Sequence, residues 1–233
     1  MSVLDASLQE QLSAITSQGQ HRSLVAVNHL DQGMIEIDGR RYLNLAGNDY
    51  LGLATNRHLL EAFYHQQQPA NLLENYGLGS TASRLMTGNI QPYQRLEQQL
   101  WQLYQAEAAL VFNSGYHINI GILPALTTKQ DLILADKLCH ASLIDGMRLS
   151  RAKVVRYPHL DYAAIEQLLV KERHKFRQVI IVTESIFSMD GDTADLAELV
   201  RIKDRFQAAL YVDEAHGVGI RGENGCGLAE EQG

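Results

Sequence analysis

Cysteine is scarce: Cys139 and Cys226 are the only two in 233 residues, which excludes a disulfide framework. With no C-x-x-C spacing they offer neither a zinc site nor a redox pair, and both read as ordinary reduced thiols. Basic charge is also short. Twenty Lys and Arg against 27 Asp and Glu leave a net charge of -7, so there is no basic footprint for nucleic acid and no polybasic surface for an anionic membrane. A small-molecule partner is the better expectation. No apolar run approaches the ~18 residues of a membrane span, and Met1-Ser2-Val3-Leu4-Asp5 lacks the basic-then-apolar order of a signal peptide, which points to a cytoplasmic protein. No Gly-Lys pair occurs anywhere. Val212-Asp213-Glu214-Ala215-His216 spells the DEAH box of helicases, but without a G-x-x-x-x-G-K-[ST] loop to cradle phosphates that reading fails. No H-E-x-x-H or comparable cluster gathers the nine histidines into a catalytic metal site. Finally, no lysine follows Lys203.

What is present is ample apolar matter, 45% of the chain, enough to bury a sizeable core. Apolar positions at helical spacing predict a helix over Leu4 to Thr16. Met34 to Ile37, then Asp38-Gly39, then Tyr42 to Leu45 predict a β-hairpin around a D-G turn. These form an arm and hairpin over 1–45, with a large domain over 46–233. Pro92 opens a helix that carries Tyr93, Leu96, Leu100, Trp101 and Tyr104 on one face, and Ala108 to Phe112 is a short apolar run. Strands at Leu132–Leu134, Val154–Val155, Val179–Val182 and Ala208–Val212 then alternate with helices at Ala141–Leu149, Tyr162–Val170 and Leu196–Phe206. That alternation predicts an α/β fold with a mainly parallel sheet and flanking helices. Ligands of such sheets sit at the carboxyl ends of the strands, which singles out Asn113 to Gly115, Asp136 to His140, Glu184 to Ser188 and Asp213 to His216.

Two readings compete at the last of these. Gly217-Val218-Gly219-Ile220-Arg221-Gly222 matches G-x-G-x-x-G, yet Gly225 and Gly227 break any helix it would open, so it is a glycine-rich loop and not a dinucleotide site. Asp213 is more telling. An acid at the end of a buried strand is costly to desolvate, and a productive use for it is to hold a heteroaromatic cation. The pyridinium of pyridoxal 5'-phosphate is such a cation, kept protonated by a carboxylate so that the ring serves as an electron sink. His216, three residues on, is placed to hydrogen-bond the ring's phenolic oxygen.

Asn48-Asp49-Tyr50-Leu51-Gly52-Leu53, Phe112-Asn113-Ser114-Gly115-Tyr116, His140-Ala141-Ser142-Leu143-Ile144-Asp145-Gly146, Thr183 to Asp192 and Asp213-Glu214-Ala215-His216-Gly217 together resemble the ordered motif set of the α-oxoamine synthases. The resemblance runs from about Arg22 to Gly233. It implies the aspartate-aminotransferase-like fold, fold type I of the pyridoxal-phosphate-dependent transferases, and the decarboxylative condensation of an amino acid with an acyl thioester by a homodimer. Phe112 through Asp192 is most similar to the member of the biotin pathway that joins L-alanine to pimeloyl-CoA or pimeloyl-ACP. Residue by residue, the resemblance implies that Gly115 and Tyr116 bind the cofactor phosphate, His140 stacks on the ring and touches substrate, Ser188 contacts the cofactor beside Glu184, and Asp213 and His216 take the roles above. It also implies substrate contacts from Arg22 and Asn48, with Tyr50 lining the site and Thr81, Ser83 and Arg84 close to the site or the dimer interface.

The same family uses a lysine, preceded by a threonine, to hold the cofactor covalently and to move protons. It lies beyond the last residue of this chain. None of the lysines at 129, 137, 153, 171, 175 and 203 matches a catalytic position. The expectation is therefore an incomplete large domain without its C-terminal partner, inactive alone and poorly soluble because of open strand edges. Two alternatives remain: a relative of the glycine C-acetyltransferase type, or a non-catalytic subunit that pairs with a lysine-bearing one.

Overall fold

The computed structural model describes residues 2–66, 72, 76–77 and 79–233. They group into two compact units, Met1–Tyr64 and His65–Gly233.

In the first unit, helix α1 (Val3–Ser17) begins with a capping box. Ser2 Oγ accepts the Asp5 N–H at 3.1 Å and Asp5 Oδ2 accepts the Ser2 N–H at 2.8 Å, so two otherwise orphaned donors are satisfied reciprocally. β1 (Asn28–His29), β2 (Met34–Ile37) and β3 (Arg40–Leu43) form an antiparallel meander. Asp38 and Gly39 turn with φ of 49° and 74°, the two positive values that match a two-residue turn to the twist of its strands. This tight turn pairs Ile37 directly with Arg40, so β3 starts two residues before the predicted Tyr42. α2 (Arg57–Gln66) follows.

The second unit begins, among described elements, with a π-helical turn at Arg84–Gly88 and α3 (Gln91–Leu103), with Pro92 in its first turn. Then come α4 (Gly115–Leu126), β4 (Leu132–Asp136), α5 (Ala141–Leu149), β5 (Lys153–Tyr157), α6 (Tyr162–Glu172), β6 (Val179–Glu184), α7 (Leu196–Phe206), β7 (Ala209–Asp213) and α8 (Leu228–Gln232). The strands are parallel, in the order β5-β4-β6-β7. Every residue of β4 and β6 is buried, which explains their unbroken apolar runs: a parallel sheet is covered on both faces. Alternation along the strands divides the core. Leu132, Leu134, Val179 and Ile181 pack with Ile165 and Leu169 of α6 and Leu199 and Ile202 of α7. Ile133, Ala135, Ile180 and Val182 face the other way, against Leu123 of α4 and Leu143 and Met147 of α5.

Ala108 to Phe112 forms no strand. The Val111 N–H donates to Glu97 Oε1 at 2.8 Å and its carbonyl accepts from Arg84 Nη1 at 2.8 Å. Side chains have taken the backbone groups that a neighbouring strand would otherwise satisfy.

Candidate active site

Asp136, Glu184 and Asp213 close β4, β6 and β7 at the carboxyl end of the sheet, and Glu184 pairs in register with Asp213. Their environments separate them into three tasks. Asp136 is fully buried and accepts from the N–H groups of Leu138 and Leu160 and from His159 Nδ1, at 2.8 to 2.9 Å. His159 reaches Asp192 with its other nitrogen at 3.1 Å. Burial opposes charge on this imidazole, but the hydrogen bonds to Asp136 and Asp192 outweigh it and raise its pKa. Asp136 thus ties down loops.

Glu184 Oε1 accepts the His140 N–H at 2.5 Å, and the nearby Ser188 backbone favours its charged form slightly. Burial, added to the charges of Asp213 and Asp136, pushes its pKa up to about 7 despite both. Its carboxylate holds His140 by its backbone.

Asp213 is half-buried. Its Oδ1 accepts the Ala215 N–H at 3.0 Å and its Oδ2 accepts from Asn119 Nδ2 at 2.9 Å. The carboxylate opens on a cavity of about 310 Å³ lined also by Gly115, Ile118, Asn119 and Tyr211. Asn119 is buried at 3% exposure; its Nδ2 also donates to Ser142 Oγ at 2.9 Å, and its Oδ1 accepts the Tyr211 hydroxyl at 2.6 Å. Burial, then the charge of Asp213, pushes the Tyr211 pKa up to about 12, so the phenol remains a donor. Ser142 Oγ lies 2.7 Å from His140 Nδ1, and the Ser142 N–H also points to that nitrogen at 3.2 Å. His140, the N-cap of α5, keeps an exposed ring.

At the cavity's other side, Ser114 caps α4. Its Oγ accepts the His117 N–H at 3.2 Å and its carbonyl accepts the Ile118 N–H at 3.2 Å. The N–H groups of Gly115 and Tyr116 are the donors left at this terminus, where unpaired N–H groups and the helix dipole favour an anion. A Cβ on Gly115 would meet nothing within 4 Å, so packing does not require glycine there and an approaching anion meets no side chain. A helix end with unpaired N–H groups and an acceptor carboxylate on one cavity fit a phosphorylated pyridinium.

The remaining predicted residues fall elsewhere. Ser188 is exposed, and His216 sits half-buried in the turn after β7. The Tyr116 hydroxyl donates to Asp145 Oδ2 at 3.0 Å. Arg84 is committed to Glu97 at 2.7 and 2.9 Å and to Asn89, and stacks over Tyr93 at 4.5 Å; with Ser83 it lines a separate cavity of about 680 Å³, whereas Thr81 is exposed nearby in the chain. Arg22, Asn48 and Tyr50 lie exposed in the first unit. Asn119, Ser142 and Tyr211 were not among the predicted site residues. Asn119 carried a usable signal, because an amide amid Ile118, Ile120, Ile122 and Leu123 of an apolar helix must find buried partners.

The model of the family described as aminotransferase class I and II matches residues 40–232. A candidate 8-amino-7-oxononanoate synthase of Pasteurella multocida is 50% identical over 226 residues, covering 97% of this chain and 57% of the relative. One of Haemophilus influenzae is 51% identical over 226 residues, covering 96% and 58%. Among solved structures, serine palmitoyltransferase of Sphingomonas wittichii superposes with a TM-score of 0.83 at 30% identity, covering 100% of this chain and 57% of that one. The 8-amino-7-oxononanoate synthase of Francisella tularensis gives 0.62 at 32% identity, covering 80% and 49%. The chain therefore spans 49 to 58% of the length of these relatives. With a parallel sheet, a helix end with unpaired N–H groups and a strand-end aspartate in place, this chain belongs to the aminotransferase class I and II family and has the fold of the type I pyridoxal-phosphate-dependent transferases.

Proposed function

We propose that the chain is the cofactor-holding portion of an 8-amino-7-oxononanoate synthase, an acyltransferase that condenses L-alanine with a pimeloyl thioester and releases carbon dioxide. The observation that carries the reading is a half-identical match to candidate synthases of that name, combined with Asp213 and the Gly115 helix end on one cavity. Pyridoxal 5'-phosphate supplies the electron sink of such chemistry when bound. Asp213 accepts the pyridinium N–H and keeps that proton in place, while the Gly115 and Tyr116 N–H groups bind the phosphate. His216 donates to the phenolic oxygen, and the exposed ring of His140 covers the ring face and meets substrate. Ser188 contacts the cofactor, with Glu184 holding His140 in position. Arg22 pairs with the far carboxylate of the pimeloyl chain, Asn48 lines the substrate site, and the active form is a homodimer.

A second reading, another α-oxoamine synthase, is favoured by the whole-chain superposition on serine palmitoyltransferase. Alanine, glycine and serine offered with pimeloyl, acetyl and palmitoyl thioesters to the natively expressed full-length protein separate the two. Turnover confined to alanine and pimeloyl donors supports the first; preference for serine with palmitoyl, or glycine with acetyl, replaces it. Intact mass after pyridoxal phosphate and borohydride gives chain length and any trapped adduct together.

A further inference from the structure

We infer that Asn119 is the positioning residue that couples the two sides of the cofactor site, orienting the Asp213 carboxylate with one amide hydrogen and selecting the tautomer of His140 with the other. The inference rests on reading this cavity as the pyridoxal-phosphate site. It starts from donor and acceptor accounting. An ionised carboxylate can only accept, so the Asn119 atom 2.9 Å from Asp213 Oδ2 is the amide nitrogen. Its second hydrogen lies on Ser142 Oγ, also at 2.9 Å. The carbonyl end is left for the Tyr211 hydroxyl at 2.6 Å, and all three amide contacts are then used in their only compatible sense.

The consequence passes through Ser142. Having accepted from Asn119, the hydroxyl directs its own hydrogen to His140 Nδ1 at 2.7 Å. The Ser142 backbone N–H points to the same nitrogen at 3.2 Å. Two donors aimed at Nδ1 disfavour a proton there and select the tautomer that carries its proton on Nε2. The backbone supports this geometry. Gly146 lets α5 approach α4 so closely that a Cβ there would stand 2.2 Å from the Asn119 carbonyl oxygen. Asn119 and Ser142 are buried at 3% and 2% exposure, and in such surroundings a fully satisfied network is rigid while a broken one strands polar groups. One buried amide therefore serves both the carboxylate that would meet the ring nitrogen and the imidazole that would cover the ring.

Three variants of the natively expressed full-length protein test this: Asn119→Leu, Ser142→Ala and Tyr211→Phe. Nitrogen-15 NMR of the histidine rings in the apoprotein reads the His140 tautomer, and absorbance titration reads pyridoxal phosphate affinity. Asn119→Leu is expected to weaken cofactor binding about tenfold or more and to mix the His140 tautomers, since a half-buried carboxylate and a buried hydroxyl lose their donor. Ser142→Ala is expected to mix the tautomers equally but to weaken binding less. Tyr211→Phe is expected to leave the tautomer unchanged. A merely structural Asn119 would lower melting temperature without moving the tautomer. The inference is overturned if Asn119→Leu, or Ser142→Ala where the former does not fold, retains the Nε2–H form of wild type. It is also overturned if Ser142→Ala and Asn119→Leu weaken binding equally. A wild type that takes up no cofactor instead overturns the reading of the cavity, and the apoprotein tautomer still decides the coupling.

Discussion

The hairpin of the first unit and the four-stranded sheet of the second both arise from clear local signals, yet they are stabilised differently. In the hairpin, β3 is exposed along its whole length and β2 is only half-buried; no described residue from 2 to 66 is buried. In the sheet, β4 and β6 contain no residue that is not buried. Turn chemistry and a capping box are enough to specify an element, because they act over three or four residues. Burial needs a layer on each face, and within its own unit only the sheet has both.

Truncating the core is the largest way to sharpen that contrast. Leu134→Ala, from 0% exposure between α6 and α7, is expected to cost about 2–5 kcal/mol in urea unfolding; a cost below 1 would mean that this core is loosely packed. Next comes a polar anchor of the same sheet. Asp131, also 0% exposed, accepts from Arg177 Nε and Nη2, Thr128 N–H and Oγ, and Gln178 N–H, so Asp131→Ala is expected to cost about 2–3 kcal/mol. On the hairpin side, Gly39→Val forces a branched residue to φ 74° and is expected to cost about 1–2 kcal/mol of hairpin stability. Hydrogen exchange should show faster exchange from Met34 to Leu43 while β4 and β6 stay protected; equal loss in both would join the two regions into one cooperative unit.

A smaller effect lies on the pH axis. The fold raises the Glu184 pKa from 4.5 to about 7, so between those values the native state holds the proton more tightly than the unfolded chain. Glu184's contribution is therefore fully present below about 4.5 and is lost as pH rises to about 7. Comparing urea midpoints of wild type and Glu184→Gln across that window should show the slope only in wild type. An identical slope in both would assign it elsewhere. The smallest expected effect closes the comparison: Leu43→Ala, at 60% exposure, should change stability by no more than about 0.5 kcal/mol.

Period and punctuation made most elements legible. The four parallel strands and the helices at Ala141, Tyr162 and Leu196 lie within a few residues of their predicted bounds, because unbroken apolar runs and amphipathic spacing report directly on two-sided and one-sided burial. Ala108 to Phe112 was less legible, since a strand is a pairing and Glu97 and Arg84 claimed the backbone of Val111. Motif order singled out Asp213, His140, Glu184 and Gly115, which the fold gathers at the carboxyl ends of the strands, whereas Asn119 escaped notice, ninety-four positions before its partner Asp213.

By itself the sequence determined the family's motif set, the alternation of strand and helix, the D-G turn and the acid at the end of β7, because each is written in residues close together along the chain. Tertiary structure alone decided that Glu184 would hold the His140 N–H, that Asp136 would tie down loops, and that one buried amide would join Asp213 to Ser142 and, through it, to His140. Those outcomes depend on which polar atoms meet when α4, α5 and the strand ends pack together. A buried donor takes whichever acceptor the packing brings within reach.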